Sequence, residues 1–205
     1  MDIISIGKHK VSNYDLMYLD VQALIGKSKV DFMYSDPPWG AGNLKFWQTM
    51  NKKMTGANPN EVDLDKFLNI IFASAKEYVN EVIWLEYGQR WRNDIIYLGK
   101  KYGLVNNGIV QLMYRSGSRL LPLDLHVFSK KKLQLPNNYF ENLHNTIGYN
   151  SLKNAIIPFA RNEATIIDLC CGMGYTAQIA VDTGMNFIGN ELNSKRLEKT
   201  IKRLK

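Results

Sequence analysis

The stretch Ala164-Thr165-Ile166-Ile167-Asp168-Leu169-Cys170-Cys171-Gly172-Met173-Gly174 passes from a β-branched apolar run into a glycine turn. A helical stretch from Tyr175 to Thr183 follows, closed by Gly184. Asn186-Phe187-Ile188-Gly189-Asn190 then reads as a further strand that ends at Glu191. Strand, crossover helix and strand in so short a span predict a parallel βαβ unit. Glycines in its first turn let a ligand approach the backbone, and a carboxylate on the neighbouring strand can accept hydrogen bonds from ribose hydroxyls. Asp168, Cys170, Gly172, Gly174 and Glu191 are therefore candidate contacts for an adenosine-containing cofactor. Thr176 and Ala177 stand where a third glycine of the dinucleotide pattern would fall. The glycines alone thus leave a second reading open, a turn that serves only the backbone.

On either side of this stretch strands and helices continue to alternate. Ile3–Ile6 is a short β-branched run, and Ser12 or Asn13 is placed to cap a helix running to Gly26. Residues 30–35 read as a strand, and 41–61, with Gly42, Gly56, Pro59 and Lys52-Lys53, as a long loop of the kind that often carries function. Helix is expected over 63–79, strand over 82–85 and helix over 89–102, closed by Gly103. Two strands, 108–114 and 123–128, flank the basic turn Arg115-Ser116-Gly117-Ser118-Arg119 as a hairpin. A polar connector covers 130–150, a helix 152–159, and a basic helix 194–205. The pattern predicts an α/β fold, a mostly parallel sheet with helices on both faces.

At the carboxyl end of strand 30–35 lies Asp36-Pro37-Pro38-Trp39, on the edge where open α/β sheets bind ligands. Two prolines stiffen the turn and remove two N–H donors, leaving carbonyls free as acceptors. A carboxylate beside a rigid carbonyl suits an –NH2 group, and Trp39 offers a flat face on which a base can stack. The plainer reading is a rigid turn in which Asp36 caps the backbone and Trp39 fills core.

Composition sets the outer bounds. The 205 residues are 45% hydrophobic, 11% aromatic and 22% charged, which excludes disordered, collagen-like and coiled-coil classes. No run approaches the ~18 apolar residues of a membrane helix, and the start at Met1 lacks the pattern of a signal peptide. Adjacent Cys170 and Cys171 are unsuited to bridging each other and read as reduced thiols. A cytoplasmic protein with no membrane partner is expected. The formal charge is +7, from 26 Lys and Arg against 19 Asp and Glu. Six basic residues stand against Glu198 in the last twelve, so +5 of that charge is local, and a solvated helix face away from the catalytic turn accounts for it. His9, His126 and His144 have no metal-ligand spacing, and no metal site is expected. Trp84 and Trp91 fall at apolar positions and read as core.

Together the two motifs carry a resemblance. Asp36-Pro37-Pro38-Trp39 resembles the catalytic motif of the S-adenosylmethionine-dependent amino-methyltransferases, which methylate exocyclic nitrogens of adenine or cytosine. Asp168-Leu169-Cys170-Cys171-Gly172-Met173-Gly174 resembles their cofactor loop, and Glu191 their ribose-binding acid. The order, catalytic motif first, resembles the permuted β-type arrangement of bacterial and phage DNA adenine N6 and MT-A70-like methyltransferases. The resemblance implies a Rossmann-like methyltransferase fold with a mostly parallel seven-stranded sheet, one strand antiparallel and helices on both faces. Ile3–Ile6 would then be the third strand of the cofactor half. It implies a single domain over 1–205, with a catalytic half at 27–130, a cofactor half at 145–205 and no separate target-recognition domain. Either relaxed sequence specificity, or a homodimer or second subunit that assists recognition, would then follow.

The implied cofactor is S-adenosyl-L-methionine, with Ser151 and Lys153 matched to the family's segment before the cofactor loop, although its histidine and prolines are missing. The implied partner is nucleic acid, DNA before RNA. Adenine N6 is favoured, since Ser in place of Asp36 would favour cytosine. Asp36 and the Pro37 carbonyl would accept the amine hydrogens, Pro38 would hold the turn, and Trp39 would stack on the base, with no covalent intermediate. Lys52, Lys53, Arg115 and Arg119 lie where members of the family approach substrate, or belong to ordinary solvated loops. Two other functions compete: glutamine N5-methylation of proteins, whose motif usually begins with Asn, and a non-catalytic nucleic-acid-binding subunit.

Overall fold

The computed structural model describes residues 2–26, 28–58 and 60–205. Met1, Lys27 and Pro59, which entered the readings of the chain start, the catalytic half and the 41–61 stretch, lie outside the described residues. The strands are β1 (Ile3–Ile6), β2 (His9–Ser12), β3 (Val30–Ser35), β4 (Val79–Tyr87), β5 (Val105–Ser116), β6 (Arg119–Ser129), β7 (Thr165–Asp168) and β8 (Asn186–Asn190). The helices are α1 (Val21–Ile25), α2 (Gly40–Thr55), α3 (Leu64–Tyr78), α4 (Arg92–Lys101), α5 (Tyr139–Leu143), α6 (Tyr149–Ile156), α7 (Tyr175–Asp182) and α8 (Ser194–Arg203).

The described strands form one sheet in the order β1-β2-β8-β7-β3-β4-β6-β5. Pairings from β2 through β8, β7 and β3 to β4 are parallel, and β6 runs antiparallel between β4 and β5. This is the expected α/β architecture with one correction. The sheet has eight strands rather than seven, because Gly7 and Lys8 turn the chain back and β1 becomes an antiparallel edge strand on β2. The third strand of the cofactor half, the role expected of Ile3–Ile6, is His9–Ser12, which pairs parallel with β8.

Apolar residues on both sheet faces make the core two-sided, as a covered parallel sheet requires. Phe32, Trp84, Val127 and Ile166 face α5, α6, α7 and α8 through Leu143, Ala155, Ile179 and Leu197. Met33, Ile83, Phe128 and Ile167 face α1, α3 and α4 through Leu24, Ile71 and Ile95. Trp84 is fully buried, as read from the sequence, and Trp91 is half-buried against Tyr87.

Three further corrections bear on the site. The 41–61 stretch is mostly helix: α2 begins after Trp39 and ends at Gly56, whose φ of 76° closes it with an N–H bond to the Lys52 carbonyl. The helix expected from Ser12 or Asn13 is a 3-10 turn, Leu16–Tyr18, capped by Asp15, followed by α1 capped by Asp20. Ser12 instead donates its hydroxyl to Asn190 within the sheet. The hairpin strands extend to Ser116 and Arg119, so Gly117 and Ser118 alone make the turn. Since β6 leaves β4 at the Tyr87–Asp124 pair, the rest of the hairpin projects as an arm past the carboxyl edge of β4.

Candidate active site

The Gly172–Gly174 turn is built around two buried carboxylates. Asp168, the last residue of β7, accepts from the Cys170 N–H at 3.0 Å and from the Thr176 hydroxyl at 2.7 Å, tying the strand to the first turn of α7. Glu191, just past β8, accepts from the Gly172 N–H and from the Asn193 N–H, both at 2.8 Å. These bonds use one lone pair on each Glu191 oxygen and leave others for a ligand's hydroxyls. Gly174 has φ 77°, and a Cβ there would stand 2.7 Å from the Thr200 Cα of α8, so this position needs glycine for its conformation and for space. Burial pushes the carboxyls of Asp168, to about 7, and of Glu191 upward; the bonds each accepts act against that rise. Both cysteine thiols are pushed well above their usual value, by burial first and then by the nearby carboxylates, and Cys171 is buried while Cys170 is half-buried.

The Asp36-Pro37-Pro38-Trp39 turn stands beside this loop for a reason of register. Tyr34 of β3 pairs with Asp168 of β7, so Asp36, two residues on, leaves the sheet next to the strand that carries the glycine turn. The Trp39 indole N–H donates to Asp36 at 3.1 Å, and the Trp39 backbone N–H donates to the Asn43 side chain at 3.0 Å. The Pro37 carbonyl accepts no hydrogen bond among the described residues. Trp39 packs edge-on against Tyr114 of the hairpin arm, ring centres 4.8 Å apart. Asp36 opens to solvent on one side while protein crowds the others. That crowding lifts its carboxyl to about 6, opposed by the Trp39 bond and the Arg196 charge.

Sequence reading missed two members of this group. Glu86, buried at the end of β4, stands one position beyond the Ser35–Leu85 pair and accepts a hydrogen bond from the Tyr34 hydroxyl. Burial raises its carboxyl to about 8, with the Asp36 and Asp168 charges adding and the Tyr34 bond opposing. The signal was available in part: Glu86 ends the apolar run 82–85 at the same sheet edge that singled out Asp36. Its partnership with Tyr34 depends on strand order.

Helix α8 also departs from its reading as a solvated face. Arg196 lies over the Trp47 ring of α2 at 4.0 Å, and Arg203 donates to the Met173 carbonyl at 2.9 Å, so two of its cations serve the site. Met54 of α2 meets the Asn193 amide at 3.6 Å. Helix α2 is thereby docked onto the strand-to-helix turn that holds Glu191.

The remaining candidates are spread out. Arg115 and Arg119 are exposed at the tip of the arm whose Tyr114 touches Trp39. Lys52 and Lys53 are exposed in the last turn of α2, about 20 Å along the helix from Trp39. Ser151 is buried and accepts from the Thr146 hydroxyl at 3.0 Å, whereas Lys153 is exposed. Neither side chain bonds to the 168–174 turn among the described residues, although Tyr149 of the same helix meets Tyr175 at 5.8 Å.

No family model matches the sequence, and no curated protein matches it either. Solved structures do. The structure of M1.HpyAVI, also solved as a complex with S-adenosylmethionine, superposes with a TM-score of 0.67 at 18% identity over 95% of this chain and 97% of that one. TTHA0409 from Thermus thermophilus, assigned as a DNA modification methylase and solved with S-adenosyl-L-methionine, gives 0.63 at 14% identity over 96% and 93%. The cytosine-N4-specific PvuII DNA methyltransferase gives 0.64 at 9% over 95% and 86%. At such identities the likeness is one of fold: the chain has the Rossmann-like methyltransferase fold, with Asp36-Pro37-Pro38-Trp39 and the Gly172–Gly174 turn side by side at the carboxyl edge of its sheet.

Proposed function

We propose that this chain transfers a methyl group from S-adenosyl-L-methionine to an exocyclic amino group of a nucleic-acid base, N6 of adenine in DNA in the first place. One observation carries the reading most: a carboxylate with a rigid free carbonyl, Asp36 and Pro37, stands on the strand next to a glycine turn whose floor is an acid, Glu191.

The turn fits the cofactor on its own chemistry. Gly172 and Gly174 leave backbone accessible, and Glu191 keeps lone pairs for two ribose hydroxyls. Asp168 and the Cys170 N–H hold the turn's shape. When bound, the cofactor supplies an electrophilic methyl on a sulfonium. Ser151 and Lys153 lie on α6, Lys153 in its last turn, and support the cofactor turn only through that helix, whose Tyr149 packs against Tyr175 at the start of α7.

The chain's own part is binding and orientation. An exocyclic amine is a poor nucleophile because its lone pair is delocalised into the ring. Asp36 and the Pro37 carbonyl each accept one amine hydrogen and so turn the lone pair out of the ring plane, catalysis by position and electrostatics. Once nitrogen is alkylated, its surplus proton passes to an Asp36 carboxylate oxygen, which is the base in reach. Trp39 gives the base a stacking face, with Tyr114 behind it. A duplex must release the base to reach this depth. Arg115 and Arg119 on the arm meet the phosphate backbone first, with Lys52 and Lys53 as a second contact. The 205 residues act as one unit, 27–130 presenting the base and 145–205 the cofactor, with a second copy or subunit adding sequence recognition.

Mass spectrometry of nucleosides after incubation with S-adenosylmethionine and mixed DNA and RNA tests this reading. N6-methyldeoxyadenosine is the expected product. N4-methyldeoxycytidine would retain the mechanism and move the base, and no methylated nucleoside would remove the proposal.

A further inference from the structure

Glu86 has a place at the site that the mechanism above does not use. The Ser35–Leu85 pair is the last rung between β3 and β4, so positions 36 and 86 form the next level at the open edge. Alternation along β4 puts Glu86 on the face of Trp84, which pairs with Tyr34, and the Tyr34 hydroxyl donates to the Glu86 Oε1. Asp36 follows Tyr34 on the same strand. Among the described residues no lysine, arginine or backbone N–H bonds to the Glu86 carboxyl; the titratable groups that act on it are Tyr34, Asp36 and Asp168. A carboxyl buried among acids, with one oxygen held by a hydroxyl, favours its neutral form, and a neutral carboxyl carries one O–H donor.

Adenine and cytosine share one feature beside the amine, a ring nitrogen with a free lone pair. An acceptor pair for the amine and a donor for that nitrogen together match this edge, whereas oxo bases present the reverse pattern. Resting on the function proposed above, we infer that Glu86 reads the target base: Tyr34 fixes Oε1, and the Oε2 hydroxyl donates to the ring nitrogen next to the amine held by Asp36 and Pro37.

The test replaces that nitrogen by CH. Methyl transfer is compared on a duplex carrying adenine or 1-deazaadenine at the target position (cytosine or 3-deazacytosine if cytosine is the acceptor), using the unaltered chain, Glu86→Ala and Glu86→Gln. The unaltered chain is expected to lose about tenfold or more in kcat/KM on the deaza base. Glu86→Ala should lose a similar factor on the natural base and then be indifferent to the replacement. Glu86→Gln retains an N–H donor and should recover most of both the rate and the discrimination. An equal natural-to-deaza ratio in the unaltered chain and Glu86→Ala would overturn the assignment, as would a ratio near one in the unaltered chain if Glu86→Ala does not fold. Transfer with an unchanged ratio removes this assignment alone; an unaltered chain that methylates no base removes the proposed function and the assignment with it.

Discussion

The Trp39 indole N–H donates to the Asp36 carboxylate at 3.1 Å, so the ring proposed to stack on the base also occupies one oxygen of the acceptor proposed to hold its amine. Replacing Asp36 by Ala removes the acceptor and should lower kcat/KM at least about a thousandfold. Calorimetry with S-adenosylhomocysteine should find cofactor affinity within about threefold of the unaltered chain. Trp39→Phe keeps a stacking face but removes the bond that lowers the Asp36 pKa. The acid limb of its kcat/KM profile should move to higher pH, while Trp39→Ala should lose about 10- to 100-fold, the worth of one stacked base. A Trp39→Phe profile displaced to lower pH would contradict the role given to that bond.

Glu191 accepts two backbone N–H groups that shape the cofactor turn, from Gly172 and Asn193. Glu191→Ala should weaken S-adenosylhomocysteine binding by at least about tenfold, because charge-assisted bonds and ribose contacts go together. The rate at saturating cofactor should change less. Gly174→Ala should also lose cofactor binding, since its Cβ would press on Thr200 at 2.7 Å. Unchanged affinity in both variants would place the cofactor elsewhere.

The raised carboxyls fix the sign of a pH effect on stability. Asp36, Asp168 and Glu86 hold protons to about 6, 7 and 8 when folded, above the ordinary carboxylate range. Below that range both states are protonated and their contribution is fully present; it is lost as pH rises through the folded values. The melting temperature of the cofactor-free chain should therefore fall between about pH 5 and pH 8.5, with the solvent-facing Asp36 contributing least. Glu86→Gln should melt higher than the unaltered chain at pH 8.5 and the gap should close near pH 4, each kcal/mol recovered being worth about 2–4 °C. A melting temperature that rises across this range would contradict it.

Helix α2 is held over the Glu191 turn by Trp47 on Arg196 and by Met54 on Asn193. Trp47→Ala should speed amide exchange along α2 while leaving the strands β3, β4 and β7 protected, and cofactor affinity should drop a few-fold. Exchange that quickens evenly through the sheet would mean that Trp47 supports the core instead.

Both motifs were legible because each pairs a chemical group with a backbone device that leaves a mark in sequence: Asp36 with two prolines, Glu191 with a glycine turn one strand away. The elements that went astray lack such marks. Helix α2 contains Gly40, Gly42, Asn43 and Asn51 and only a weak apolar stripe, so its helicity rests on docking at Arg196 and Asn193, which no local pattern records. The β1–β2 hairpin hinges on Gly7-Lys8, two residues between strands of four. Glu86 was hidden for another reason. Its meaning lies in the Tyr34–Trp84 register between strands nearly fifty residues apart, and only the assembled sheet supplies that.

Tritium transfer from labelled S-adenosylmethionine, run in parallel on DNA, RNA and protein with the unaltered chain and Asp36→Ala, tests whether Asp36 holds a base amine for methylation. Label is expected in DNA with the unaltered chain and none above background with Asp36→Ala. Label on protein glutamine, or equal transfer to DNA by both chains, would contradict it.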